Sequence, residues 1–212
     1  MERVTPVFSP DDFPGEVDEA VRKDLGALFQ YLFPEGEKGE PHAGYAILAQ
    51  SPALALGIAR CADAVIYDTP WTQRSDLREI AIQALNLHFR CDFSFHAHLP
   101  IARRWGISAE QQAAIPYWRT SPLFDEEQRL LIEYTFAVVS GPVPEDLFQK
   151  VKNAFGERGA VECTVAIGWW SLWAMLLNAT QPKFSVERSQ PLPKDVKELN
   201  RGNGEGGDNG GA

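Results

Sequence analysis

Apolar residues three and four apart recur along almost the whole chain, cut at intervals by helix start and stop signals. No two neighbouring stretches alternate as paired strands would. A segment with this period buries one stripe and leaves the other face wet, so several must cover one another. After Pro14, helical spacing holds Val17, Val21, Leu25, Leu28 and Phe29. Ser51-Pro52 reads as a cap and first turn heading a helix through Ala64 to Ile66. Ser75 or Asp76 caps the next, whose inward stripe is Leu77, Ile80, Ala81, Ala84 and Leu85. Gly106 stops a helix, and capping-box patterns begin at Ser108 and Asp125, the second heading Leu130 to Val139. A short helix from Pro144 and a long one from about Glu157 to Asn178 complete about eight. The expectation is an all-α fold, one compact multi-helix domain.

Composition narrows the class. Hydrophobic residues are 44% and charged residues 23% of 212, ordinary for a globular chain. A net charge of −9 with no Lys/Arg cluster argues against a nucleic-acid partner. No run approaches the roughly 20 apolar residues of a membrane span, and "MERVTPVFSPDDF" lacks the apolar core of a signal peptide. The chain therefore reads as cytoplasmic, without a membrane partner. Cys61, Cys91 and Cys163 are odd in number and widely spaced, offering neither a disulfide framework nor a CxxC zinc site. No metal is expected. The organisation reads as a helical extension over 1–42, a helical domain over 43–185 and a disordered glycine-rich tail over 186–212.

Chemistry concentrates in "CDFSFHAHLPIARRWG", residues 91–106. On a helix Cys91, Ser94 and His98 share one face, with Phe95, Ala102 and Trp105 continuing it. Pro100 deletes one helical hydrogen bond, so a bend or a freed carbonyl is expected. His96 projects about 160° from His98, which makes His96 the surface histidine and His98 the inward one. An inward histidine is more often a satisfied core residue than a catalyst, and a carboxylate partner must come from elsewhere. Glu79 is the candidate, although by composition alone a glutamate off the apolar stripe reads as solvent-facing.

"LREIAIQALNLHFRCDFSFHAHLPIARRWGIS", residues 77–108, resembles the core of the carboxymuconolactone decarboxylase and alkylhydroperoxidase-D-like family. Redox members of that family place a glutamate twelve residues before a CxxC and a histidine four residues after its second cysteine. Glu79, Cys91, Ser94 and His98 fall on those places without a gap. "SPALALGIARCADAVIYDTPW", "FDEEQRLLIEYTFAVVSG" and "VAIGWWSLWAMLLNAT" extend the likeness over about residues 43–181. The resemblance implies an alkylhydroperoxidase-D-like helical domain that assembles as a homotrimer or hexamer. It also implies one of two activities: cofactor-free decarboxylation of a carboxylated lactone from aromatic catabolism, or peroxide reduction by a cysteine pair.

Two departures matter. Ser94 replaces the second cysteine, so the two-cysteine redox cycle is broken. Ser94 also replaces the acid of the decarboxylase-like members, while Phe95 keeps their aromatic. Glu79 with His98 survives in both schemes, and a carboxylate that fixes an imidazole's tautomer suits proton transfer near neutrality. The leading expectation is a lyase or isomerase working by acid–base chemistry on a cyclic, lactone-like or aromatic-derived catabolite. Glu79 and His98 move the protons, Cys91 and Ser94 stand beside them, and no cofactor is needed. A thiol-dependent peroxidase built on Cys91 is the alternative, and a non-catalytic ligand-binding or assembly member the third. Tyr45 (beside His42), Trp71, Phe95, Trp118 and Trp169 are the expected substrate-binding residues, whereas Trp173 reads as core. The aromatic content suggests a substrate larger and more apolar than a small dicarboxylate.

Overall fold

A computed structural model describes residues 3–34, 41 and 43–183; the expected tail over 186–212 and His42 lie outside them. The described residues form eight α-helices and no strand. These are α1 (Glu19–Leu32), α2 (Ala43–Leu48), α3 (Pro52–Ile66), α4 (Ser75–Phe89), α5 (Asp92–Arg104), α6 (Ala109–Ala113), α7 (Glu126–Ser140) and α8 (Glu145–Thr180).

Local chemistry explains most of the boundaries. Asp18 caps α1 by accepting from the Val21 N–H at 2.8 Å, so the helix begins after Val17 rather than at Pro14. Asp125 and Gln128 close a reciprocal capping box on α7, and Ser108 accepts from the Gln111 N–H on α6. Neither Ser75 nor Asp76 caps α4. Ser75 is already helical, and the α4 N-terminus is held by Arg74, paired with Asp76 at 3.3 Å and with Glu127 of α7 at 2.8 Å. α8 is broken at Gly156, whose φ of +75° and ψ of 171° only glycine adopts cheaply. The two helices expected there, one from Pro144 and one from about Glu157, are both present and meet at this break.

α4 is the central helix. It packs against α5, α7 and α8 and is buried on nearly every side, from Leu77 to Leu87 with Arg78 as the exception. Its expected stripe is buried, and so are Glu79, Gln83 and Asn86 on another face. The main core joins α4 to Phe95 and Leu99 of α5, Leu131 and Ile132 of α7, and Cys163 and Ile167 of α8. A second core packs α1 on α3 and shares Trp173 of α8 with Val7, Leu25 and Leu28. Segment 3–34 is also tied on by hydrogen bonds, from the Val7 N–H to the Ala46 carbonyl at 2.8 Å and from Arg3 to the Ala179 carbonyl at 2.9 Å.

The long apolar stretch of α8 was not apparent from runs of apolar residues. Its most apolar 18-residue window reaches a mean hydropathy of 1.4, enough to cross a membrane by length and composition. In this fold 44% of that window is buried against the other helices.

Candidate active site

The α4–α5 seam carries a line of buried polar groups. Glu79, Gln83 and Asn86 stand at i, i+4 and i+7 on α4 and so share a face. Gln83 donates to the Phe95 carbonyl at 3.1 Å and to Gln112 Oε1 at 2.6 Å, and Asn86 donates to Gln83 Oε1 at 3.3 Å. These bonds fix the position of α5 along α4. At the end of the seam Glu79, 1% exposed, accepts from His98 Nδ1 at 2.8 Å. Its other oxygen lies 3.3 Å from Arg78 Nε, and Arg78 also donates to the Thr72 carbonyl at 3.1 Å. The glutamate that composition alone places in solvent is therefore buried and doubly paired. With Nδ1 on the carboxylate, Nε2 is the ring nitrogen left for chemistry, and His98 is one of the residues that line the cavity.

That cavity has a volume of about 200 Å³. Four helices each present one face to it: Tyr45 from α2; Ala62 and Ile66 from α3; Phe93, Ser94, Ala97 and His98 from α5; Trp169, Trp170, Trp173 and Leu177 from α8. Trp173 is braced edge-to-face by Tyr45 at 5.0 Å and by Trp169 at 5.8 Å. Burial, foremost, pushes the Tyr45 phenol up to about 12, so it stays protonated near neutral pH.

The structure brings together Glu79, His98, Ser94, Tyr45 and Trp169, and separates the other expected site residues from them. Cys91 precedes the first turn of α5, and there its side chain turns into a cluster with Leu85, Ala174 and Leu177. The thiol is fully buried, and burial pushes its pKa up. A backbone hydrogen bond from Ser94, in the first turn of α5, favours the thiolate, but burial outweighs it. Phe95 is one residue and 100° past Ser94, which turns it into the main core. Trp71 packs edge-to-face on Phe155 at 6.2 Å, and Trp118 sits in the same core beneath the Arg119 guanidinium at 4.2 Å. Trp105, expected to continue the reactive face, is 51% exposed at the C-terminus of α5.

His96 is not the surface histidine. It is 2% exposed, with Nδ1 2.8 Å from the Asp92 carbonyl, whereas the His98 side chain is 19% exposed at the cavity. The expected 160° separation put the two rings on different sides, but α5 is covered on both. Trp170 and Trp173 line the cavity as well. Their signal was in the spacing, because 169, 170, 173 and 177 share one helical face.

The described helices, with a carboxylate from the central one reaching an imidazole on the next, form an all-α fold. A crystal structure of an Agrobacterium tumefaciens protein of unknown function, described as a candidate AhpD antioxidant defence protein, aligns with a TM-score of 0.58. The alignment has 23% identity over 66% of this chain and 96% of that one, and it shows the fold alone. The fold implied by the sequence resemblance is thus the one present. The uncharacterised protein YnjA of Escherichia coli K12 is 33% identical over 92 residues. That match takes in 42% of this chain and spans about half the length of YnjA, 50%. No family model matches the chain.

Proposed function

We propose that the chain is a cofactor-independent acid–base enzyme of the lyase or isomerase type, with His98 as the proton carrier and Glu79 as its partner. One observation carries this: a 1% exposed carboxylate holds the Nδ1 side of an imidazole at 2.8 Å, at the wall of an apolar cavity. Such a carboxylate fixes the tautomer and stabilises the imidazolium that forms when Nε2 takes a proton. His98 removes a proton from the substrate at one position and returns it at another. Ser94, on the same wall, supplies a hydroxyl donor to charge developing on a substrate oxygen.

The Agrobacterium protein's description as a candidate antioxidant defence protein favours the rival, a peroxidase. Against it stand Ser94 in place of a second cysteine and a Cys91 thiol that is buried and hard to ionise. The test is a panel of cyclic lactones and enolisable ring compounds, run beside hydrogen peroxide and organic hydroperoxides. Glu79→Gln and His98→Ala are each expected to lower turnover about 10²- to 10⁴-fold, and the double variant little further, because the two act as one unit. Melting temperature measured alongside separates this from a purely structural pair, whose disruption costs about 3–5 kcal/mol of stability without a role in turnover. Peroxide turnover that needs Cys91 and ignores His98 overturns the proposal.

A further inference from the structure

The cavity walls restrict what can enter. Its polar groups are the Ser94 hydroxyl, the His98 imidazole, the Tyr45 phenol and the indole N–H groups of Trp169, Trp170 and Trp173, and no lysine or arginine is among the described residues that line it. The nearest cation along the seam, Arg78, is taken up by Glu79 and by the Thr72 carbonyl. An anion brought here would give up its water for aromatic faces, whose quadrupole is negative, and would gain no counter-charge from His98 in the neutral form that accepts a proton. A cation would fare better against the same faces. The rings, however, do not form an open cage: Trp173 is covered on its edges by Tyr45 and Trp169, and these aromatics make one continuous wall. The Glu79 carboxylate, which could attract a cation, already faces His98 and Arg78.

Size limits the ligand further. An apolar cavity of about 150 Å³ accommodates benzene, so the space of about 200 Å³ within these walls, partly open to solvent, takes a single ring with a small substituent. Ser94 and His98 lie one turn apart on α5 and together offer hydrogen bonds within a largely apolar, aromatic space.

We propose that the substrate is an uncharged molecule built on one six-membered ring, with a single hydrogen-bonding oxygen directed at His98 and Ser94. This rests on the cavity being the site of the acid–base reaction proposed above. It disfavours carboxylated lactones of the kind the sequence resemblance implied, because the one positive charge the described lining can offer is an imidazolium at His98, which can no longer accept the substrate's proton.

Benzyl alcohol, benzoate and benzylammonium are nearly the same shape and differ in charge at pH 7. Their binding to the full-length protein can be read by tryptophan fluorescence and by ligand-observed NMR. Benzyl alcohol is expected to bind saturably and at least about tenfold tighter than either ion. Ala97→Trp, which fills the cavity from α5, should abolish that binding with an unchanged helical spectrum. Ala62→Phe does the same from α3 should the first variant fail to fold. Benzoate or benzylammonium binding as tightly as the alcohol, no binding of any probe, or binding that survives in both filled variants overturns the proposal. The measurement is repeated in His98→Ala. If the neutral preference stands there while that variant turns over normally, the acid–base mechanism falls and the ligand class does not. If turnover depends on His98 but the preference is missing, only the ligand class falls.

Discussion

His96 and His98 lie two residues apart and face different surroundings. The ring of His96 is enclosed near the first turn of α5, with Nδ1 on the Asp92 carbonyl, while His98 reaches Glu79 and the cavity. His96→Ala therefore removes buried volume and a hydrogen bond. It is expected to cost about 1–3 kcal/mol of stability in chemical denaturation while leaving turnover per folded molecule near normal. The three cysteines also differ by burial. Cys61 is exposed, Cys91 and Cys163 are buried, and all three are free thiols. Iodoacetamide on the native protein should label one thiol, and three after denaturation, read by intact mass. Burial raises the pKa of both inner thiols, so the folded state keeps protons that the unfolded chain releases above about pH 8.5. Their contribution to stability is complete below that pH and declines as pH rises through the folded-state values. Melting temperature should accordingly fall between pH 8 and 10, and less steeply in Cys91→Ala.

The α4–α5 seam is the element-scale device of this fold. Most of the contact between the helices is apolar and would tolerate a slide along the axis, but Gln83 would not. Its amide binds the Phe95 carbonyl and Gln112 together, and Gln112 in turn donates to the Ile107 carbonyl at 3.1 Å. Gln83→Leu keeps the volume and leaves the Gln112 oxygen and a buried carbonyl without their donor, which is expected to cost about 1–3 kcal/mol. Because the same bond sets where His98 meets Glu79, turnover should fall in this variant even at temperatures where it remains folded. Unchanged turnover in folded Gln83→Leu would mean that apolar packing alone sets the helix register.

At the scale of the whole molecule, the outer face of α8 is largely exposed, with Leu172 only partly covered by the second core. Val161, Val165, Gly168, Leu172, Met175 and Ala179 follow one another at spacings of four and three, the pattern of a helix-pairing seam. Val161, Val165 and Met175 are 56%, 53% and 52% exposed, and no charged residue occurs from Thr164 to Thr180. Paired antiparallel with a second copy about Trp170, the stripe sets Gly168 opposite Leu172, Val165 opposite Met175 and Val161 opposite Ala179. Gly168, with nothing within 4 Å of where a Cβ would stand, leaves room for a close approach of the second helix. A membrane surface is the less suitable occupant, since the stretch offers no basic rim and the chain carries a net charge of −9. The chain is expected to self-associate through this face. A two-fold contact of this kind occurs in a hexamer made of two trimers but not in a lone trimer. Light scattering at micromolar concentration should show a multiple of 23.6 kDa, reduced in Val165→Glu/Met175→Glu. A wild-type monomer would end the idea.

Helical periodicity and caps made the helices legible in the sequence, because each depends on residues within one or two turns. The Glu79–His98 pair was legible only through family-like spacing. Nothing local to "SDLREIAIQ" says that Glu79 is covered, and burial on that face comes from α5, a separate helix. Cys91, Phe95, Trp71 and Trp118 fit a reactive or substrate-lining position equally well in one dimension. Which of them met the cavity was decided by the direction of a single Cα–Cβ bond at the start of α5 and by what α7 and α8 had already covered. The sequence by itself determined the helices and the residue types available for chemistry. Only the tertiary structure decided which side chains share a space, because burial is set by neighbours distant in the chain.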